Sequence, residues 1–265
     1  MLKDITLGQY FPGDTVVHRL DPRTKLLLVV IYIVGLFNST GWASYAFVIL
    51  VTALSMAISK IKPKSALKGL KPLIIIIILT AVLNIFYTDG TPIAEGWIVT
   101  WEGIERAVMM SLRIILLIVG TFMLTYTTSP IALTDGLEIM MGPLKKIKIP
   151  VHEMSMMMSM ALRFIPTLIE ETDKIMSAQK ARGADFDSGN LFQRAKALLP
   201  ILVPLFVSAF RRADELAVAM ESRCYHGGKG RTRMKQLKMQ GIDLWALVLG
   251  AAFLAAIFVM KHFGL

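Results

Sequence analysis

The sequence predicts an all-α membrane protein, with about five transmembrane helices and a cytoplasmic domain built from a short helix and two long kinked helices. Of its 265 residues, 55% are hydrophobic and only 18% are charged, whereas soluble domains typically carry about 25% charged residues. The apolar residues form several long runs, and most of the net charge of +10 lies between them. There the basic residues indicate membrane topology rather than nucleic acid binding, because cytoplasmic loops are enriched in lysine and arginine.

Two apolar runs joined by a tight turn predict the first pair of spans. Residues 1–24 are mixed and polar, and we interpret them as an irregular amphipathic segment on the cytoplasmic side. The first run, Leu26–Phe37, is short, so it can cross only with its flanks, with tilt or with local thinning of the bilayer. After the polar turn Asn38–Gly41, the run Trp42–Ile58 returns through the membrane.

The charges around the next apolar runs predict the orientation of the chain. Five lysines lie within residues 60–71, which is the strongest indication of a cytoplasmic loop. The run Leu73–Tyr87 then leads to the acidic loop Thr88–Glu102, which holds no basic residue, and Gly103–Tyr126 returns. With a last run at Ile242–Val259, the sequence predicts the amino end inside and the carboxyl end outside.

One arginine is predicted to lie within the membrane. Arg113 falls in the fourth apolar run, about two turns beyond Arg106. A charge at that depth is costly unless it faces protein or reaches the interface. We interpret Arg113 as a structural intramembrane charge, and a role in transport is the alternative.

The region between the fourth and fifth spans predicts a cytoplasmic insert. We divide the chain into residues 1–127, which hold the first four spans, residues 128–240, which form the insert, and residues 241–265, which hold the last span. Within the insert, a short helix at Ser129–Gly142 precedes two long arms.

The two arms resemble each other. Val151–Ala181 and Leu191–Ser222 each predict a long helix. Pro166 should kink the first, and Pro200 and Pro204 should kink the second. A shift of 41 residues aligns Arg182 with Arg223. Because no apolar run between their charges reaches the roughly 20 residues of a span, we expect the arms beside or below the membrane. An amphipathic helix pair in a soluble lobe is the alternative.

The tips of the arms are candidate contacts for a partner. They consist of Ala181, Arg182 and Gly183 in the first arm and Ser222, Arg223 and Cys224 in the second. A cation in the last turn favours the helix dipole, and glycine is common just beyond a helix end, so each tip alone could be an ordinary cap. Because both tips end long apolar arms, we favour arginines that hold a carboxylate or several carbonyls of a partner.

A dense run of methionines begins the first arm. It consists of Met154, Met156, Met157, Met158 and Met160. Consecutive residues of a helix cannot all face one core, and methionine is frequent on surfaces that accept several partners. The run is therefore a candidate protein contact surface, with ordinary filling of gaps in the core as the alternative.

The sequence carries no motif of enzymatic or nucleotide-binding chemistry that we recognise. It lacks Gly-x-x-x-x-Gly-Lys-[Ser/Thr], His-Glu-x-x-His and Gly-x-Ser-x-Gly. Its four histidines are scattered and do not form a metal-ligand pattern. We therefore expect no catalytic residue, no metal and no cofactor in this chain.

These features together resemble the transmembrane (T) subunit of energy-coupling factor transporters, and the resemblance covers nearly the whole chain. Its most specific part is a pair of Ala-Arg-Gly motifs. The first tip matches in full, whereas the second keeps only Arg223 and has Cys224 in place of the glycine. The stretch from Asp21 to Lys25 also resembles the start of the first span in that family.

The resemblance implies a non-catalytic subunit of an ATP-driven importer for a vitamin or a metal ion, located in the cell membrane. It implies that residues 128–240 are a coupling domain whose arginine tips bind two cytoplasmic ABC ATPase subunits, which hold the ATP. It also implies a separate membrane subunit that captures the substrate, which we expect at the methionine run. Besides these subunits the expected partner is the lipid bilayer, without nucleic acid.

Two other classes of function remain open at this point. A self-contained secondary transporter would place charged residues at the membrane midplane, which only Arg113 approaches. A membrane-bound enzyme would need a catalytic site, and the sequence shows none.

Overall fold

A computed structural model gives the fold of residues 10–92, 99–184, 186, 190–227 and 237–264. Most of these residues are helical, which confirms the predicted all-α class.

The chain divides into two units. Among the described residues, those within 8–136 and 237–265 form the membrane unit, and those within 137–236 form the arm unit.

Eight named helices of the described residues lie wholly or partly in the membrane unit, and one of them, α7, begins in it and ends in the arm unit. They are α1 (Val16–Arg19), α2 (Pro22–Asn38), α3 (Trp42–Ser59), α4 (Pro63–Leu70), α5 (Ile74–Tyr87), α6 (Trp101–Thr127), α7 (Pro130–Met140) and α11 (Gly241–His262). A short 3-10 turn joins α4 to α5.

Four segments of the described chain are long and apolar enough to cross a membrane. They are α3, the α4–α5 segment at Pro63–Tyr87, α6 and α11. The first predicted span is the helix α2, whose 17 residues lie at the lower limit of the roughly 17–25 that a crossing helix needs. The protein is therefore a multi-pass membrane protein.

Glycines allow α2 and α11 to approach closely. A Cβ atom added to Gly35 would lie 2.7 Å from the ring of Phe253, and one added to Gly250 would lie 2.6 Å from the side chain of Leu28. Membrane helices commonly pack through such small residues, because lipid gives them no hydrophobic drive to associate. The core beside this contact contains Leu36, Tyr45, Val48, Leu116, Phe253 and Ile257.

A buried carboxylate ties the start of α2 to the start of α11. The side chain of Asp243 accepts hydrogen bonds from the backbone N–H groups of Asp21, at 2.8 Å, and Gln240, at 2.7 Å. Only 2% of the Asp243 surface is exposed. A charge buried this deeply needs such hydrogen bonds to offset its lost hydration.

The ammonium group of Lys25 lies in the same polar network. It donates to the backbone oxygens of Thr127, at 2.8 Å, and His18, at 3.1 Å, and the carboxylates of Asp243 and Asp21 attract it. The network therefore connects the first turn of α2 with the end of α6 and the start of α11.

Three α-helices lie wholly within the described residues of the arm unit. They are α8 (Val151–Ala181), α9 (Leu191–Ala197) and α10 (Leu199–Ser222). The first arm is α8, with the predicted bounds, and it continues through Pro166.

The second arm differs from the single helix predicted at Leu191–Ser222, because it is interrupted at Leu198. Pro200 lies in the first turn of α10, where the missing N–H group of proline is tolerated. In the middle of a continuous helix, the same residue would remove a hydrogen bond and clash with the preceding turn.

Candidate functional site

The first arm ends in a Schellman turn. Gly183 has a φ of 85°, in the left-handed region. Its N–H donates to the carbonyl of Lys180, and the N–H of Ala184 donates to that of Gln179, both at 3.0 Å, which is the hydrogen-bond pattern of this motif. Arg182 is the cap residue, and its side chain is exposed.

The second arm ends in the same turn, although a cysteine replaces the glycine. Cys224 has a φ of 58°. Its N–H donates to the carbonyl of Glu221 at 2.8 Å, and the N–H of Tyr225 donates to that of Met220 at 3.0 Å. The left-handed conformation costs a non-glycine residue roughly 1–2 kcal/mol. The turn is nevertheless kept, and Arg223 occupies the same cap position as Arg182.

The six predicted tip residues are all exposed. Ala181 and Ser222 are the last helical residues of their arms. The two tips are therefore alike in backbone motif, in the position of the arginine and in accessibility.

An ion pair connects the two arms. Nη2 of Arg212 lies 2.9 Å from Oε2 of Glu171. A hydrogen bond from Ser208 and the charge of Arg212 lower the pKa of the Glu171 carboxyl below its usual value. The pair joins equivalent positions of the two arms, because Glu171 and Arg212 are separated by the same 41 residues as Arg182 and Arg223.

The methionine run presents part of its length as a surface. Met154, Met157 and Met158 are exposed, whereas Met156 and Met160 are half-buried. Residues three and four apart lie on the same face of a helix, so the three exposed methionines form one patch, which we call the methionine face.

A second apolar surface was not predicted from the sequence. On α10, exposed side chains recur at a spacing of three or four residues, and we call them the apolar stripe: Leu199, Leu202, Val203, Phe206, Val207 and Phe210. This spacing in the sequence was enough to predict the stripe, because apolar residues repeated in this way form one helix face.

Arg113 makes its contacts inside the membrane unit. Its Nε donates to the hydroxyl of Tyr45 at 2.9 Å, and Nη2 donates to the carbonyl of Ser39 at 3.0 Å. The guanidinium carbon also lies 5.9 Å from the ring centre of Phe37. Because Ser39 caps the end of α2, the cation meets the negative end of a helix dipole. These contacts favour the structural interpretation of Arg113.

Acidic and histidine side chains do not gather into a metal-binding group within the described residues. Nδ1 of His152 lies 3.1 Å from Oε1 of Glu138. Both residues belong to the arm unit, and this contact is a pair rather than a ligand cluster.

Comparison with known proteins identifies the family. A family model described as CbiQ, cobalt transport protein, matches residues 13–234. The energy-coupling factor transporter transmembrane protein EcfT of Clostridium kluyveri is 57% identical over 257 residues, which cover 94% of this chain and 95% of the relative. The protein of the same name from Thermosediminibacter oceani is 55% identical over 265 residues, covering 99% of each chain. That of Bacillus subtilis is 46% identical over 264 residues, covering 98% of this chain and 100% of the relative.

The matches cover both the membrane unit and the arm unit, and the relatives align along nearly their whole length. They confirm the resemblance that the arginine tips and the apolar runs indicated. They also give the chain a transport role as a membrane subunit rather than the role of an enzyme. The chain therefore belongs to the CbiQ family, as a transmembrane component of the energy-coupling factor transporter type.

Proposed function

We propose that this chain couples ATP hydrolysis by two cytoplasmic ABC ATPase subunits to the uptake of a vitamin or a metal ion. A separate membrane subunit captures the substrate, and the chain transmits movement from the ATPases to it through the arm unit. The chain itself contributes no nucleotide site and no catalytic residue.

The observation that carries this proposal is the equivalence of the two arm tips. Arg182 and Arg223 cap long helices in the same Schellman turn, and both side chains are exposed. An arginine that served only as a cap would need no equivalent on the other arm. Two equivalent tips suit two similar docking grooves, as a pair of related ATPase subunits would offer, and the planar guanidinium suits acidic or carbonyl partners.

The methionine face and the apolar stripe support the contact with a capture subunit. Both lie on helices of the arm unit, and both expose large apolar side chains. Exposed apolar patches of this kind mark contacts with another protein or with lipid. Flexible methionine side chains can also repack against more than one partner.

Purification of the assembled complex tests the function. The chain is tagged, extracted from its native membrane in mild detergent, and every retained subunit is identified by mass spectrometry. We expect two ATPase chains that carry the phosphate-binding motif this chain lacks, and a further membrane protein. Purification without any ATPase, while the chain alone transports substrate into vesicles, would instead establish a self-contained secondary transporter.

Aspartates at the methionine face should release the capture subunit. In the variant Met154→Asp, Met157→Asp, Met158→Asp, three charges would have to be desolvated in the apolar contact. We expect retention of the capture subunit to fall more than tenfold in a pull-down, with the ATPases still bound. The matched control replaces the same three methionines with leucine and should retain the subunit. Equal retention in the aspartate and leucine variants would contradict this contact.

The proposed topology places residue 64 inside and residue 89 outside the cell. Both Lys64 and Asp89 are exposed, so single cysteines can replace them in a Cys224→Ser background. A membrane-impermeant maleimide should label Asp89→Cys in intact cells and Lys64→Cys only after permeabilisation. Labelling of residue 64 in intact cells would reverse the orientation.

A further inference from the structure

A cavity of about 590 Å³ lies at the end of α3 in the membrane unit. We call it the outer cavity because it lies nearer the membrane surface, which is the cytoplasmic surface in the proposed topology. Its lining consists of residues 11–16, His18, residues 58–62 and Ser65. Lys60 and Lys62 belong to this lining, and both are exposed. Within the part of the chain that the structure describes, neither ammonium group has an ion-pair partner.

A second cavity of about 310 Å³, which we call the inner cavity, lies between α2, α3, α6 and α11. Its lining is almost entirely apolar. Its three hydroxyl groups are already satisfied inside the protein. Tyr32 donates to the carbonyl of Leu116 at 3.0 Å, Thr52 to that of Val48 at 2.7 Å, and Ser55 to that of Thr52 at 2.7 Å. The inner cavity therefore suits hydrocarbon rather than a polar ligand.

The two cavities are neighbours along α3. Ile58 lines both of them, and Ser55 in the inner cavity precedes Ser59 in the outer cavity by one helical turn. Because α3 is a candidate span that ends at Ser59, the lysines lie at the depth of the lipid headgroups and the apolar space lies deeper. This is the layout of a site for a molecule with a charged head and an apolar chain.

We propose that the two cavities together bind an anionic glycerophospholipid. Its phosphate lies between Lys60 and Lys62, where basic side chains at a membrane surface attract anionic lipids. One acyl chain occupies the inner cavity. Asp14 also lines the outer cavity, and its carboxylate accepts hydrogen bonds from headgroup hydroxyls such as those of phosphatidylglycerol. The site lies in the membrane unit and does not depend on the proposed ATPase contacts.

Native mass spectrometry of the full-length chain in mild detergent tests the proposal, with dioleoyl phosphatidylglycerol as the probe. We expect one tightly bound lipid per chain, and at least tenfold weaker binding by Lys60→Gln, Lys62→Gln. The matched control is Lys64→Gln, Lys68→Gln, which removes two charges from the same lysine cluster but outside the cavity lining. Equal losses in the two double variants would overturn the site, because they would show nonspecific attraction.

Three further comparisons separate the contribution of the lipid headgroup from that of the acyl chain. Ser55→Phe, which fills the inner cavity, should also weaken binding tenfold while its thermal unfolding midpoint stays near that of the wild type. If this variant unfolds, Val51→Phe fills the same cavity. Unchanged lipid binding by a folded filling variant would overturn the acyl-chain assignment. Dioleoyl phosphatidylcholine should bind more weakly than dioleoyl phosphatidylglycerol, and equal binding would overturn a site for an anionic lipid. Glycerol phosphate should not displace the bound lipid, and displacement would overturn the site as well.

Discussion

Replacing Arg182 and Arg223 together with alanine is expected to abolish retention of both ATPase subunits and to stop ATP-driven uptake. Truncation of a charged contact that becomes buried in a partner's groove costs roughly 2–5 kcal/mol. Since about 1.4 kcal/mol corresponds to a tenfold change in affinity, each site should weaken docking by about 30-fold or more. The measurement is a pull-down of the ATPases on the tagged chain, together with uptake into vesicles.

A matched control distinguishes docking from loss of positive charge. Arg163→Ala, Arg211→Ala removes one exposed arginine from each arm away from the tips, and it should keep both ATPases. If the arginine tips served only as caps, each replacement would cost only about 0.3–1 kcal/mol of local helix stability, and the complex would survive. Full retention and full uptake in the Arg182→Ala, Arg223→Ala variant would therefore contradict the docking role.

Asp243→Ala is expected to produce the largest loss of stability in the membrane unit. The replacement leaves the N–H groups of Asp21 and Gln240 without their acceptor and removes a carboxylate that attracts the buried ammonium of Lys25. Removing one member of a buried charge pair typically costs about 3–5 kcal/mol. We expect a clearly lowered thermal unfolding midpoint in detergent and less folded protein in the membrane.

The other end of the same helix pair provides the control. Nζ of Lys261 in α11 donates to Oδ1 of Asn38 in α2 at 3.0 Å, at an exposed position. Exposed polar contacts contribute about 1 kcal/mol or less, so Lys261→Ala should leave the unfolding midpoint nearly unchanged. In addition, Lys25→Met should partly rescue Asp243→Ala, because it removes the uncompensated charge. A small effect of Asp243→Ala, no greater than that of Lys261→Ala, would show that the network contributes little.

Features that depend on local sequence were predictable. The apolar runs gave the membrane helices, because a span requires a long uninterrupted apolar segment. The bounds of α8 were also readable, since Pro150 precedes it and Gly183 follows it. The interruption at Leu198 could have been read from Pro200, but prolines in the second arm were interpreted as kinks within one helix.

Features that depend on distant contacts could not be predicted in this way. Asp21 and Asp243 meet across 222 residues, and no periodicity in the sequence pairs them. The left-handed conformation of Cys224 was equally hidden, because cysteine has no particular preference for it. At this position, the hydrogen bonds of the helix end outweigh the local preference of the side chain.

The ion pair between Glu171 and Arg212 lies at the same distance from the tip of each arm. Glu171 precedes Arg182 by the same number of residues as Arg212 precedes Arg223, so helical rise places each tip about 16 Å along its own helix from the contact. A given rotation of either helix about this ion pair would displace the tip of that helix by the same distance. If the tips dock two ATPase subunits as proposed, movements of the two subunits would therefore act on the two arms at equal distances from the contact between them.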